Sequence, residues 1–214
     1  MGINVTHVFI TMRVCPPPVT SVTCISSGNV LDADINRYAH AFVHGGVYHD
    51  EDVRMLVQPR QWHERFPALP WDGADMVVGV EFPNPIGTGT SGCCLQFLQW
   101  IFGARQHVRV MADVLRVARQ NVNNNSDEQS AVELTGPRVF TLVILAHIGP
   151  TFDLAAVEAQ GAAYASLITN ETILVLPYRA FGIHPLHRGF ATEPRHQRLA
   201  QHLFKGRWRK RNTN

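Results

Sequence analysis

The stretch Gly87-Thr-Gly-Thr-Ser-Gly-Cys-Cys-Leu-Gln-Phe-Leu-Gln-Trp-Ile-Phe-Gly103 places two cysteines where a Gly/Ser/Thr loop meets an apolar, patterned segment. From Cys94 the apolar residues recur at Leu95, Phe97, Leu98, Ile101 and Phe102, and Gln96 and Gln99 are left for a polar face. That spacing predicts an amphipathic helix, closed by Gly103. A cysteine in the first turn of a helix lies at the positive end of the macrodipole, which favours thiolate over thiol. The feature therefore asks for a fold that seats a helix start beside a loop. It marks Cys94, with Cys93 as the alternative, as a candidate nucleophile.

The rest of the chain supplies strands and helices in mixed order. Residues 5–14 and 19–26 read as β-branched strands, and residues 38–44 as a third. Gly45-Gly46 then gives a hairpin signal before Val47, Tyr48 and His49. Residues 51–66 are ambiguous, with Trp62, Phe66 and Leu69 as apolar anchors. Residues 76–82 predict a strand, 108–119 a helix, and 139–146 a buried strand. Residues 153–160 predict a short helix and 164–176 a strand or a hairpin about Thr169-Asn170-Glu171. Residues 194–204 read as helical. The class is α+β. With 45% apolar residues a real core is available. The most apolar run, residues 139–148, is shorter than a membrane span.

A cysteine nucleophile needs an imidazole to take its proton and a third group to orient that imidazole. His40 and His44 are four apart on a predicted strand and share a face, and His49 falls on the facing arm of the predicted hairpin. His147 ends a predicted strand, and His184 follows the 164–176 region. No Cys-x-x-Cys pair and no helical His-x-x-x-His occurs among the predicted elements, so no metal is expected. The glycines from Gly87 to Gly92 lack the Gly-Lys-Ser/Thr ending of a phosphate loop, and no cofactor is expected.

His40-Ala-Phe-Val-His-Gly-Gly46 followed by His49, and about fifty residues later Cys94-Leu-Gln-Phe-Leu with Ile101-Phe-Gly-Ala-Arg105, forms a pattern. It resembles the permuted NlpC-like papain-type proteins, which include lecithin retinol acyltransferase, the H-box/NC acyltransferases and related viral polyprotein products. Their histidine strand reads His-Trp-x-x-Tyr-x-Gly and their cysteine motif Asn-Cys-Glu-His-Phe-Val. Here Ala41 replaces the tryptophan, Cys93 the asparagine, and Leu95-Gln96 the Glu-His pair. The resemblance covers residues 38 to about 117. It implies a papain-like antiparallel sheet packed on helices, in linear or circularly permuted order. It also implies a cysteine-dependent hydrolase or acyltransferase acting on a peptide, isopeptide or ester. Cys94 would attack, His40 would be the base and His49 the orienting group, with His44, His147 or His184 as alternative bases.

Charge divides the chain. From Arg188 onward there are eight Lys/Arg and one acid, while the remainder has eleven basic and sixteen acidic residues. The expected organisation is a core domain over residues 1–187 and a basic extension over 188–214. In that extension Lys205, Arg207, Trp208, Arg209, Lys210 and Arg211 interleave an aromatic ring with cations, a combination that can hold phosphates and stack on a base. This supports a competing expectation: a non-enzymatic protein, viral or otherwise, that uses the tail to bind RNA, another polyanion or a protein partner. Four cysteines without framework spacing, and no leader-like or membrane-spanning run, lead to an intracellular expectation, cytoplasmic or nuclear.

Overall fold

The structure is a computed structural model that describes residues 4–8, 21–25, 30–82, 95–124, 130–181 and 197–203. In chain order, β1 (Asn4–Val8) and β2 (Ser21–Ile25) pair antiparallel, and α1 (Val30–His44) runs into β3 (Gly46–His49) and β4 (Val53–Met55). Next come α2 (Trp62–Arg65), β5 (Met76–Phe82), β6 (Gln96–Phe97) and β7 (Ile101–Ala104). Then follow α3 (Arg109–Asn124), α4 (Ala131–Leu134), α5 (Pro137–Ile148) and α6 (Leu154–Gln160). The hairpin β8 (Ala162–Ala165) and β9 (Thr172–Leu176) precedes β10 (Ala200–His202).

The main sheet has the order β3-β7-β5-β9-β8, with β6 pairing the far end of β5. Only β5 and β9 pair in parallel among its described neighbours, so the sheet is mixed and the protein is α+β. Because β7 runs against both β3 and β5, the carboxyl ends of β3, β5 and β9 share one edge. That edge is where open mixed sheets place their ligands.

Both faces of the sheet are covered. Tyr48, Met76, Val78, Phe102, Ile173 and Val175 enter one core with Tyr38 of α1, Met111 of α3 and Phe140 of α5. Val47, Val77, Ile101, Leu174 and Leu176 enter the other with Trp62, Phe66, Phe181 and Leu199. The alternation is that of pleated strands buried on both sides. Gly79 of β5 is where this second layer comes closest, since a Cβ there would stand 2.3 Å from the Phe181 ring.

Several sequence expectations change. Residues 95–104 are not a helix but two short strands about a turn. Phe97 and Phe102 point into one core, Leu98, Trp100 and Ile101 into the other, and two-sided burial broken by a turn imitates helical spacing. Residues 38–44 are the end of a helix whose buried positions are Asp34, Arg37, Tyr38 and Ala41. The 3- and 4-residue spacing was masked because two of those positions are charged. Gly45, at φ 65°, ends that helix with its N–H donating to the Ala41 carbonyl at 2.9 Å, so Gly45-Gly46 is a helix stop and not a hairpin.

Residues 139–146 lie within α5, which starts at Pro137 and stops at Gly149, and a continuous apolar run alone could not decide between strand and helix. The wider run Ala131–Thr151 has the length and hydropathy, 1.4, to cross a bilayer, yet it is divided between α4 and α5 and half of it is buried in the protein. Within 194–204, Ala200–His202 is strand rather than helix. The strand at 76–82, the α3 and α6 helices, the hairpin about residues 169–171 and the anchors Trp62, Phe66 and Leu69 agree with expectation.

Candidate metal centre

At the carboxyl end of β3 the chain turns through Asp50-Glu51-Asp52 and enters β4. The turn is fixed from both sides. The Asp50 N–H donates to the Trp100 carbonyl at 2.9 Å, and the Leu203 N–H donates to the Asp52 carbonyl at 2.8 Å. β4 pairs with β10, which sets His202 opposite Val53. The His202 Nε2 therefore lies 3.3 Å from Asp52 Oδ1. One ligand atom from each of Asp50, Asp52 and His202 falls within 4.8 Å of the others, and all three side chains are half-buried.

A buried network behind this cluster orients Asp50. The Tyr48 hydroxyl donates to Asp50 Oδ1, and Arg37 Nη1 lies 3.3 Å from the same oxygen. Arg37 also donates to the Gln99 carbonyl at 3.1 Å, pairs with Asp34 at 3.3 Å and sits over the Tyr48 ring. Burial works against the charge on Arg37, but Asp50, Tyr48 and Asp34 more than offset it, and its hold on its proton is strengthened. Burial raises the Tyr48 hydroxyl well above its ordinary value, so it stays a donor to Asp50. Asp34, held by Gln99 Nε2 at 2.8 Å and Thr135 Oγ1 at 2.9 Å, is itself raised, chiefly by burial against the opposing pull of Arg37.

Next to the cluster, Glu81 near the end of β5 accepts from Gln96 Nε2 at 2.6 Å and from Trp100 Nε1 at 3.3 Å. Burial pushes its carboxyl up, and the negative charge of Asp50 adds to that. Two carboxylates and an imidazole make a mixed oxygen and nitrogen donor set. It suits a divalent cation such as Mn²⁺ or Mg²⁺ and leaves coordination positions for phosphate oxygens or water. The residues present fit such an ion.

The residues singled out from sequence fare differently. Cys93, Cys94, His184, and Lys205 through Arg211 lie outside the described residues. His40 and His44 are one turn apart on α1 with ring centroids 5.3 Å apart, and burial followed by the charge of His44 lowers the His40 imidazole. The hairpin meant to bring His49 across from them does not form. His49 ends β3, and its Nδ1 lies 3.0 Å from the Asp50 carbonyl.

His147 is buried, with Nδ1 2.9 Å from Ser166 Oγ and Nε2 3.3 Å from Asp113. The order serine, histidine, aspartate suggests a hydrolase, but Ser166 Oγ already accepts the N–H groups of Ile168 and Thr169 at 3.1 and 3.0 Å. Its lone pairs cap a turn and are not available for attack. Sequence reasoning missed Asp50, Asp52 and His202 because it sought metal ligands only among cysteines and histidines. The acid-x-acid spacing straight after a short strand was the available signal, whereas His202 is joined to it only by the β4–β10 pairing.

No protein-family model matches the chain. It is 25% identical over 84% of its length to the Initiation-specific alpha-1,6-mannosyltransferase of Schizosaccharomyces pombe, covering 47% of that protein. It is 22% identical over 90% of its length to the protein of the same name from Candida albicans, covering 57% of it. The chain thus spans about half the length of the curated relatives it matches. A solved structure titled PaToxG Glycosyltransferase overlaps 61% of the chain and 40% of its own at 19% identity, with a TM-score of 0.39, too slight an overlap to argue from. The sequence relatives extend across nearly the whole chain, where the papain-type resemblance reached about a third of it. The hydrolase and acyltransferase assignment is therefore corrected, as are the cysteine-peptidase and viral RNA-binding alternatives, and the proteins this chain is similar to are sugar transferases.

Proposed function

We propose that this chain is a glycosyl-transfer module that moves a hexose, mannose by analogy with its relatives, from a phosphate-activated donor to a hydroxyl group. The observation that carries this reading is the convergence of Asp50, Asp52 and His202 at the carboxyl edge of the mixed sheet. In such a transfer the bond from the anomeric carbon to the phosphate oxygen breaks, with its electron pair staying on the phosphate. The acceptor oxygen bonds to that carbon, and the hydroxyl proton passes to the departing phosphate or to solvent. A divalent cation supplies neutralisation of the charge left on the departing phosphate. The chain's own residues do the holding: Asp50, Asp52 and His202 as ligands, and Arg37 and Tyr48 fixing the direction of Asp50.

The test is to incubate the protein with nucleotide-activated hexoses, mannose among them, and to follow release of the nucleotide with Mn²⁺ or with a chelator. Cation-dependent release should fall by about a hundredfold or more in Asp50→Asn and Asp52→Asn, as expected when charge stabilisation of the leaving group worth some 3 kcal/mol is lost. Release that ignores both the chelator and the two variants would overturn the assignment.

A further inference from the structure

Trp100 joins three parts of the candidate centre. Its carbonyl accepts the Asp50 N–H at 2.9 Å. Its indole meets the His202 ring at an edge, with centroids 4.7 Å apart and planes at 68°. Its Nε1–H is directed to Glu81 Oε1 at 3.3 Å. Glu81 is in turn anchored by Gln96, whose Nε2 donates to the other carboxyl oxygen at 2.6 Å. Gln96 faces Phe82 in the β5–β6 register, so this anchor belongs to the central sheet.

His202 rests on a much slighter support. β10 has three residues, and among the described residues it pairs with β4, which also has three. A ligand on so short a ribbon depends on groups outside its strand to keep its ring oriented, and such outer groups tune metal affinity. The Trp100 indole, packed against the His202 ring, is placed to do this, and Glu81 sets the rotation of the indole.

We infer that Glu81 is a positioning residue: through the Trp100 indole it ties His202 and the Asp50 backbone to the central sheet and so sets the affinity of the centre for a divalent cation. The inference rests on the metal-dependent reading above. It assigns Glu81 no contact with the ion or with substrate.

The experiment is a Mn²⁺ titration of the purified chain, reading free Mn²⁺ by electron paramagnetic resonance, with thermal unfolding run on every variant. Glu81→Gln should bind within about twofold of the parent, because its amide oxygen still accepts from Trp100 while Gln96 rotates to accept its NH₂. Glu81→Leu and Trp100→Phe should each weaken binding on the order of tenfold, the scale of lost outer-sphere support. The double variant Glu81→Leu/Trp100→Phe should be no weaker than the poorer single one, since both changes break the same connection. Parent-like affinity in folded Glu81→Leu or Trp100→Phe, or losses that multiply in the double variant, would overturn the inference. Should Glu81→Leu fail to fold, Trp100→Phe against Glu81→Gln still decides it. Asp50→Asn and Asp52→Asn in the same titration separate the two claims. If neither weakens binding, the centre itself is misassigned and the role of Glu81 falls with it.

Discussion

Arg37 is only 8% exposed and stands between Asp34 and Asp50, so deleting its charge would leave two carboxylates facing each other in a dry network. Breaking a buried pair from one side usually costs about 3–5 kcal/mol. Arg37→Met should lose stability on that scale in urea unfolding, and a loss under 1 kcal/mol would mean the network is hydrated. Glu81 gives a second prediction, from its raised carboxyl. The folded state holds this proton more tightly than the unfolded chain, where the ordinary value is 4.5. Glu81 therefore costs nothing below that value, and its cost grows as pH rises until its folded value is passed. Glu81→Gln has no such cost, so its urea midpoint should gain on the parent's as pH rises above about 4.5 and stop gaining once the folded value of Glu81 is passed. Parallel midpoint curves across that range would show that Glu81 ionises in the fold as easily as in the open chain.

At the scale of elements, the turn at Ser166 shows what a serine beside a histidine does in this protein. Its hydroxyl closes the link between β8 and β9 and fills one side of buried His147. Ser166→Ala should cost about 1–3 kcal/mol, the usual range for buried groups left unpaired. Mn²⁺ affinity should not move. A variant of normal stability with lost nucleotide release would instead give Ser166 a chemical role. Elements whose periodicity is one-sided were legible in the sequence: α3 shows its apolar face, and α6 announces itself with Asp153, whose carboxylate accepts from the Ala155 and Ala156 N–H groups. The misread elements share a physical cause. α1 turns Asp34 and Arg37 inward, α5 is apolar on most sides, and residues 95–104 are buried on both faces, so none shows a clean two-tone pattern. The acid pair of the site was readable at Asp50 and Asp52. Arg37 and Asp34 were hidden by the expectation that buried positions are apolar, and Glu81 and Trp100 become neighbours of the site only through sheet register.

Across the whole molecule, the centre gathers α1, the turn after β3, the end of β5, β6 with its link to β7, and finally β10. Its parts come from residues 34 to 202, so the site exists only when both core layers are closed. The C-terminal part of this arrangement has two separable duties. Leu199 and Ala200 are fully buried in the second core, and the Leu199 carbonyl accepts the N–H groups of Leu56 and Val57 at 2.9 and 3.0 Å. His202, two residues on, faces Asp52. Replacing His202 by Ala should weaken Mn²⁺ binding at least tenfold, as expected for a lost ligand when losing outer support alone costs that much, and leave the fold close to its parent stability. Ending the chain at Arg198 should do more. It removes about 2 kcal/mol of Leu199 burial and leaves the N–H groups of Leu56 and Val57, just past β4, without their acceptor at about 1 kcal/mol or more each. A loss of about 4 kcal/mol or more is a large part of the 5–15 kcal/mol that usually holds a domain together. The shortened chain should therefore unfold at a markedly lower urea concentration than His202→Ala, in addition to losing the ion. Equal stability of the two would show that β10 serves the metal centre alone, and that the second core is complete without Leu199.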